Sequence, residues 1–101
     1  MRYNVIVSER AKRMLDRHVR FIAEQNEDAA RRIAQELLQA ARTLTDMPQR
    51  YPFFHHAYIP PNKYRKMVVT KHYLLLYQIR DDTVFVDFVV DCRQEYAWLL
   101  E

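Results

Sequence analysis

Three β-rich runs between Tyr64 and Cys92 constrain the fold of this 101-residue chain more than any other feature. The runs read Tyr-Arg-Lys-Met-Val-Val, Tyr-Leu-Leu-Leu-Tyr-Gln-Ile-Arg and Thr-Val-Phe-Val-Asp-Phe-Val-Val-Asp, and short polar breaks separate them. This spacing predicts an antiparallel meander. The middle run is apolar on both faces except for Gln78, which predicts a strand in the interior of the sheet.

The third run alternates, and its alternation predicts which side chains share a face of the sheet. One set is expected to lie under helices and comprises Val84, Val86, Phe88 and Val90. The other set is expected on a face partly open to water or a partner and comprises Thr83, Phe85, Asp87, Val89 and Asp91. The same parity places Arg93 on the face of the two aspartates, which are therefore candidate tethers for its guanidinium.

The N-terminal half predicts one short strand and two helices. The strand covers residues 3–7, Ser8 caps a helix to about Gln25, and Asn26 caps a second helix to about Thr45. Each helix has one apolar stripe, so the pair is expected to pack on the sheet as an αα-hairpin, although such a stripe also suits dimerisation. The order β-α-α-β-β-β predicts a two-layer α+β fold with a mostly antiparallel four-stranded sheet, in one domain over residues 1–101.

Composition excludes several classes of function. The chain has no glycine, so phosphate loops and dinucleotide-binding fingerprints are absent, and the turns fall to Asn62, residues 70–72 and Asp81-Asp82. Its one cysteine, Cys92, excludes an internal disulfide, and His55-His56 lacks a third ligand, so neither a metal nor a cofactor is predicted. No apolar run reaches membrane-spanning length and no secretory segment follows Met1, so we expect a cytoplasmic protein without a membrane partner.

The charge distribution is uneven. No Asp or Glu occurs between Met47 and Arg80, a stretch that contains seven aromatic residues and six Lys or Arg. This composition is typical of nucleic-acid surfaces, but it attracts an acidic protein equally well, and it also fits core aromatics beside solvated charges. The candidate nucleic-acid or partner-binding residues are Lys63, Arg65, Lys71, Arg80, Arg93 and Trp98.

Several short motifs, in order, resemble those of a known family. They are Tyr-x-Val before Ser8-x-x-Ala11, Phe21-Ile-Ala-Glu-Gln-Asn26, Leu44-x-x-Met47-Pro48, Tyr64-Arg-Lys-Met-Val-Val69 and Val89-Val-Asp-Cys-Arg-Gln94. Over nearly its whole length the chain resembles the RelE/ParE toxins of bacterial type II toxin–antitoxin systems. The resemblance implies a small cytoplasmic toxin that a cognate antitoxin holds inactive by wrapping a peptide around it.

The two branches of that family differ in target. RelE-like members cleave mRNA on the ribosome, whereas ParE-like members act on DNA gyrase and are not known to be hydrolases. This chain has Leu74, Met67 and Leu99 where RNA-cleaving relatives often have two basic residues and a catalytic tyrosine. Arg65 and Arg93 do match basic positions, but the long helical hairpin resembles the ParE branch. The resemblance therefore favours gyrase as the target.

Two alternatives remain open at this stage. The first is a ribosome-dependent mRNA endonuclease, which needs an acid, a base and cations that stabilise the phosphorane. His72 or His55 would act as the acid or base, and Arg65 and Arg93 would supply the cations. The other alternative is a non-toxic binding module on the same fold. Whether the toxin acts on gyrase or cleaves mRNA, the expected partner is a cognate antitoxin.

Overall fold

The computed structural model describes residues 2–93 and contains two helices and four strands. The helices are α1 (Glu9–Ala23) and α2 (Glu27–Arg42), and the strands are β1 (Asn4–Val7), β2 (Arg65–Val69), β3 (Tyr73–Arg80) and β4 (Thr83–Asp91). The strand order is β1-β4-β3-β2, with β1 parallel to β4 and the other pairs antiparallel. The predicted α+β fold and the interior position of β3 are confirmed.

The two predicted helix caps are present and explain where the helices begin. Ser8 Oγ accepts from the amide of Ala11 at 3.0 Å, and Asn26 Oδ1 accepts from the amide of Ala29 at 3.0 Å. Each oxygen satisfies one of the amides that have no partner inside a helix. The second helix ends at Arg42 and continues as a 3₁₀ turn (Thr43–Thr45). No helix within residues 2–93 is both long and apolar enough to cross a bilayer.

The larger core lies between the helices and the sheet, and we call it the helix-side core. Its most buried members are Ala11, Leu37, Leu44, Leu75, Tyr77, Val84, Val86 and Val89. Tyr73 and Tyr77 both lie in it beneath the hairpin. The hydroxyl of Tyr77 donates to the Pro48 carbonyl at 2.6 Å, which ties the segment after α2 to the sheet.

A β-bulge at Asp87 changes the faces of β4. Leu76 lies opposite Phe88 and Tyr77 lies opposite Val86, so Asp87 is one residue extra on its strand. Beyond the bulge Val89 belongs to the helix-side core, whereas Phe88 and Val90 pack on the other face of the sheet. The prediction that all four residues from Val84 to Val90 lie under the helices is therefore wrong for the last two.

The opposite face of the sheet has its own smaller core. Its buried members are Phe54, Tyr64, Leu74, Leu76, Phe88 and Val90. Phe54 and the half-buried Ile59 belong to the segment between the 3₁₀ turn (Pro48–Arg50) and β2, so this connection covers the sheet. Ile6 and Val68 remain 48% and 57% exposed, so the predicted opening of this face is partial.

Turns without glycine require other residues to adopt left-handed backbone. Positive φ angles occur at Asn62 (60°), Thr70 (55°), Lys71 (72°) and Asp81 (56°), which are the turn positions predicted above. Asn and Asp tolerate this region, but the β-branched Thr70 is strained there. Met47 also has left-handed backbone, with a φ of 45°, at the residue that precedes the 3₁₀ turn Pro48–Arg50.

Candidate functional site

The predicted site residues divide between the two ends of the sheet. The end where β2 begins and β3 turns into β4, here the β3–β4 end, contains Lys63, Arg65 and Arg80. The end where β2 turns into β3, here the β2–β3 end, contains Lys71, His72 and Arg93. The eight residues of β3 separate the two ends by roughly 25 Å. Trp98 and Leu99 lie outside the described residues.

Arg65 holds the connecting segment against β2. Its Nη1 donates to the carbonyls of Gln49 at 3.1 Å and Tyr51 at 2.7 Å, and its guanidinium carbon lies 4.0 Å from the ring centroid of Phe53. The side chain is half-buried. The guanidinium therefore has a fixed orientation, since carbonyls and an aromatic face bind it while leaving its charge unneutralised.

Arg93 is paired with Asp91 at the β2–β3 end. Its Nε and Nη2 donate to the two carboxylate oxygens at 2.9 Å each, and Nη2 lies 3.4 Å from the hydroxyl of Tyr73. Burial would raise the pKa of Asp91, but the hydrogen bonds and charge of Arg93 lower that pKa below its ordinary value. Asp91 is thus the tether, and Asp87 is not, because the bulge places Asp87 on the other face with Tyr64 and Gln78.

His18 lies at the same end of the sheet, and it is not among the residues that the sequence motifs single out. Its Nε2 lies 2.9 Å from the carbonyl of Val89, so that nitrogen carries the proton, and its ring centroid lies 5.6 Å from that of Tyr73. Because β1 ends at Val7, α1 covers the remaining edge of β4. The signal was available, since residue 18 follows Ala11 by seven positions and so falls on the apolar stripe of α1.

The candidate catalytic residues do not converge. His72 is exposed in the turn after β2. Arg65 lies opposite Tyr77, which is five residues from His72 along β3, so Arg65 and His72 are roughly 16 Å apart. His72 and Arg93 share the β2–β3 end, where the amide of Cys92 donates to the His72 carbonyl at 2.6 Å. Cys92 is half-buried, and burial together with the charge of Asp91 raises the pKa of its thiol, which disfavours the nucleophilic thiolate.

The β3–β4 end contains a small cavity of about 220 Å³. Its lining consists of Gln49, Phe53, Asn62, Lys63, Arg65, Gln78 and Ile79. It therefore brings together two of the predicted binding cations with three side-chain amides and an aromatic ring, and no acidic side chain lines it. Within residues 2–93 no three His, Cys, Asp or Glu side chains are grouped as a metal site would require.

Comparisons with known proteins identify the family. A family model described as the ParE toxin of the type II toxin–antitoxin system, parDE, matches residues 5–96. The chain therefore belongs to the ParE toxin family, and a cognate antitoxin is its implied partner. A structure titled "Chromosomal ParDE TA system from P. aeruginosa" is similar, with a TM-score of 0.72 at 9% identity over 88% of this chain and 95% of that one. This likeness shows the shared fold, and no curated protein matches significantly.

Proposed function

We propose that this toxin arrests growth in the cytoplasm by binding DNA gyrase, without hydrolysing a substrate. Membership of the ParE family supports this target, because the ParE branch is the one associated with gyrase. The observation that carries the non-hydrolytic part is the separation of the candidate catalytic groups, with Arg65 roughly 16 Å from His72 along the sheet.

Metal-free RNA cleavage requires a base, an acid and cations around a single phosphate, each within about 3 Å of its target atom. Arg65 is bound to the carbonyls of Gln49 and Tyr51, and the charge of Arg93 is balanced by Asp91. A single phosphate therefore cannot lie beside both Arg65 and His72, and the guanidinium of Arg93 is already paired with Asp91. This arrangement suits a protein that binds its target more than one that cleaves it.

The outer surface of α1 is the part of the hairpin best suited to contact gyrase. Phe21 is 66% exposed, and it lines a shallow cleft of about 460 Å³ together with Arg13, Asp16, Arg17, Arg20 and Glu24. An exposed aromatic ring among arginines is the composition found at the centre of protein interfaces. Asp16 pairs with Arg20 at 3.0 Å. The other two arginines, Arg13 and Arg17, outnumber the one remaining acid, Glu24, so the cleft has a net positive charge.

This assignment is tested by a supercoiling assay with gyrase, relaxed plasmid and the purified full-length toxin. We expect the wild type to inhibit supercoiling, and Phe21→Ala to weaken inhibition about tenfold, since one interface aromatic commonly contributes that much. His72→Ala is the control, and it is expected to inhibit within about twofold of the wild type because the exposed imidazole has no role in binding.

Two results would count against the proposal. One is loss of inhibition in the His72→Ala variant with Phe21→Ala unaffected. The other is ribosome-dependent cleavage of mRNA by the wild type that Arg93→Ala abolishes while the variant keeps its fold by circular dichroism. The second result would assign the chain to the endonuclease class.

A further inference from the structure

We propose that the cavity at the β3–β4 end binds one nucleotide unit of a single-stranded nucleic acid, with the base among the amides and the phosphate beside Lys63. The cavity of about 220 Å³ has room for a single base but not for a base pair, so the phosphate would lie at its mouth beside Lys63. This inference concerns a second site, which shares no residue with the α1 cleft, and it does not depend on gyrase being the target.

The cavity exists because β3 is longer than β2. Arg65, the first residue of β2, lies opposite Tyr77, so Gln78 and Ile79 have no β2 residue opposite them in the register. The connecting segment closes the sides, since Phe54 N donates to the Tyr64 carbonyl at 2.7 Å and Lys66 N donates to the Pro52 carbonyl at 2.9 Å. A strand edge exposes peptide donors and acceptors, which complement the hydrogen-bonding edge of a base.

Two of the three amide side chains around the cavity, those of Gln49 and Gln78, are held by hydrogen bonds. The amide nitrogen of Gln78 donates to Asp87 Oδ2 at 2.7 Å, and the amide nitrogen of Gln49 donates to the hydroxyl of Tyr3 at 2.7 Å. Each contact orients its amide and leaves the carbonyl oxygen and the second N–H for a ligand. Groups held by such contacts bind with little loss of conformational entropy, which favours a specific ligand over general electrostatic attraction.

The chemistry of the lining favours a nucleotide over a simple anion or an acidic peptide. Lys63 and Arg65 provide positive charge for a phosphate, and no carboxylate lines the cavity. Arg65 lies against Phe53 at 4.0 Å, so a guanidinium plane and an aromatic ring together line the wall. Bases stack on both kinds of surface, whereas a carboxylate would use the two cations and leave the amides and the ring without a role.

The matched variants Lys63→Ala and Lys71→Ala test the site. Both lysines are exposed and their replacement changes net charge equally, but Lys71 lies at the other end of the sheet. The full-length chain is titrated against a fluorescent single-stranded oligonucleotide, followed by anisotropy. We expect the dissociation constant to rise about tenfold in Lys63→Ala and to stay within about twofold in Lys71→Ala.

Side-chain amide NMR signals of Gln49, Asn62 and Gln78 are expected to shift on addition of a nucleoside monophosphate but not of inorganic phosphate. Equal weakening in the two lysine variants would overturn the proposal in favour of general charge attraction. It would also be overturned by inorganic phosphate competing as well as the mononucleotide, by a glutamate-rich peptide binding more tightly with the same Lys63 dependence, or by no detectable oligonucleotide binding.

Discussion

Stability is expected to fall steeply between about pH 10 and pH 12, because the buried tyrosines, Tyr64 and Tyr77 above all, must stay neutral in the folded protein. Burial raises the pKa of Tyr64 and of Tyr77 from 10.0 to about 12 in each case, and the hydrogen bond to Asp87 and its charge add to the rise at Tyr64. The unfolded chain ionises near the ordinary value, so the stabilisation is complete below pH 10 and is lost as the pH rises through 12. The slope is about 1.4 kcal/mol per pH unit for each tyrosine at most.

Urea unfolding measured at a series of alkaline pH values checks this expectation. Tyr77→Phe lowers the starting stability, because the bond to the Pro48 carbonyl at 2.6 Å is lost, but it should also reduce the slope by up to about 1.4 kcal/mol per pH unit. Tyr64 and Tyr73, whose pKa values burial also raises, account for the slope that remains. Tyr58→Phe is the matched control, since Tyr58 is 62% exposed and its replacement should leave the slope unchanged. Identical slopes in the two variants would show that burial of Tyr77 does not control its ionisation.

Leu37→Ala is expected to lower the free energy of unfolding by about 3 kcal/mol, whereas Leu38→Ala should cost less than about 1 kcal/mol. Leu37 is 2% exposed in the helix-side core, and its neighbour is 42% exposed on the same helix. Both variants delete the same atoms and change helix propensity equally, so the difference measures burial. Circular dichroism during urea unfolding gives both values, and equal losses would contradict the burial of Leu37 between α2 and the sheet.

The fold could be predicted from the sequence because its main signals are local. Ser8 and Asn26 have the side-chain chemistry of helix caps, and the polar breaks between the β runs mark the turns that the structure contains. The bulge at Asp87 has no such local signal, because the alternation of the third run continues through it. Only the pairing of Leu76 with Phe88 and Tyr77 with Val86 reveals the extra residue, and that pairing depends on the neighbouring strand.

The candidate site could be predicted less completely. Composition identifies the cations, but it does not show that Lys63 and Lys71 lie at opposite ends of the sheet. Arg65 binds backbone carbonyls of the connecting segment, and carbonyls are present at every residue, so no sequence pattern marks them as its partners. The cavity arises from the different lengths of β2 and β3, which is likewise a property of strand pairing and not of either strand alone.

Pulse-labelling in cells tests most directly the proposal that this toxin acts on gyrase. DNA and protein synthesis are measured within minutes of inducing the chain without its antitoxin. The proposal predicts that DNA synthesis stops first while translation continues, and that the His72→Ala variant behaves like the wild type. If translation stops first, the gyrase assignment is contradicted, and the ribosome becomes the target.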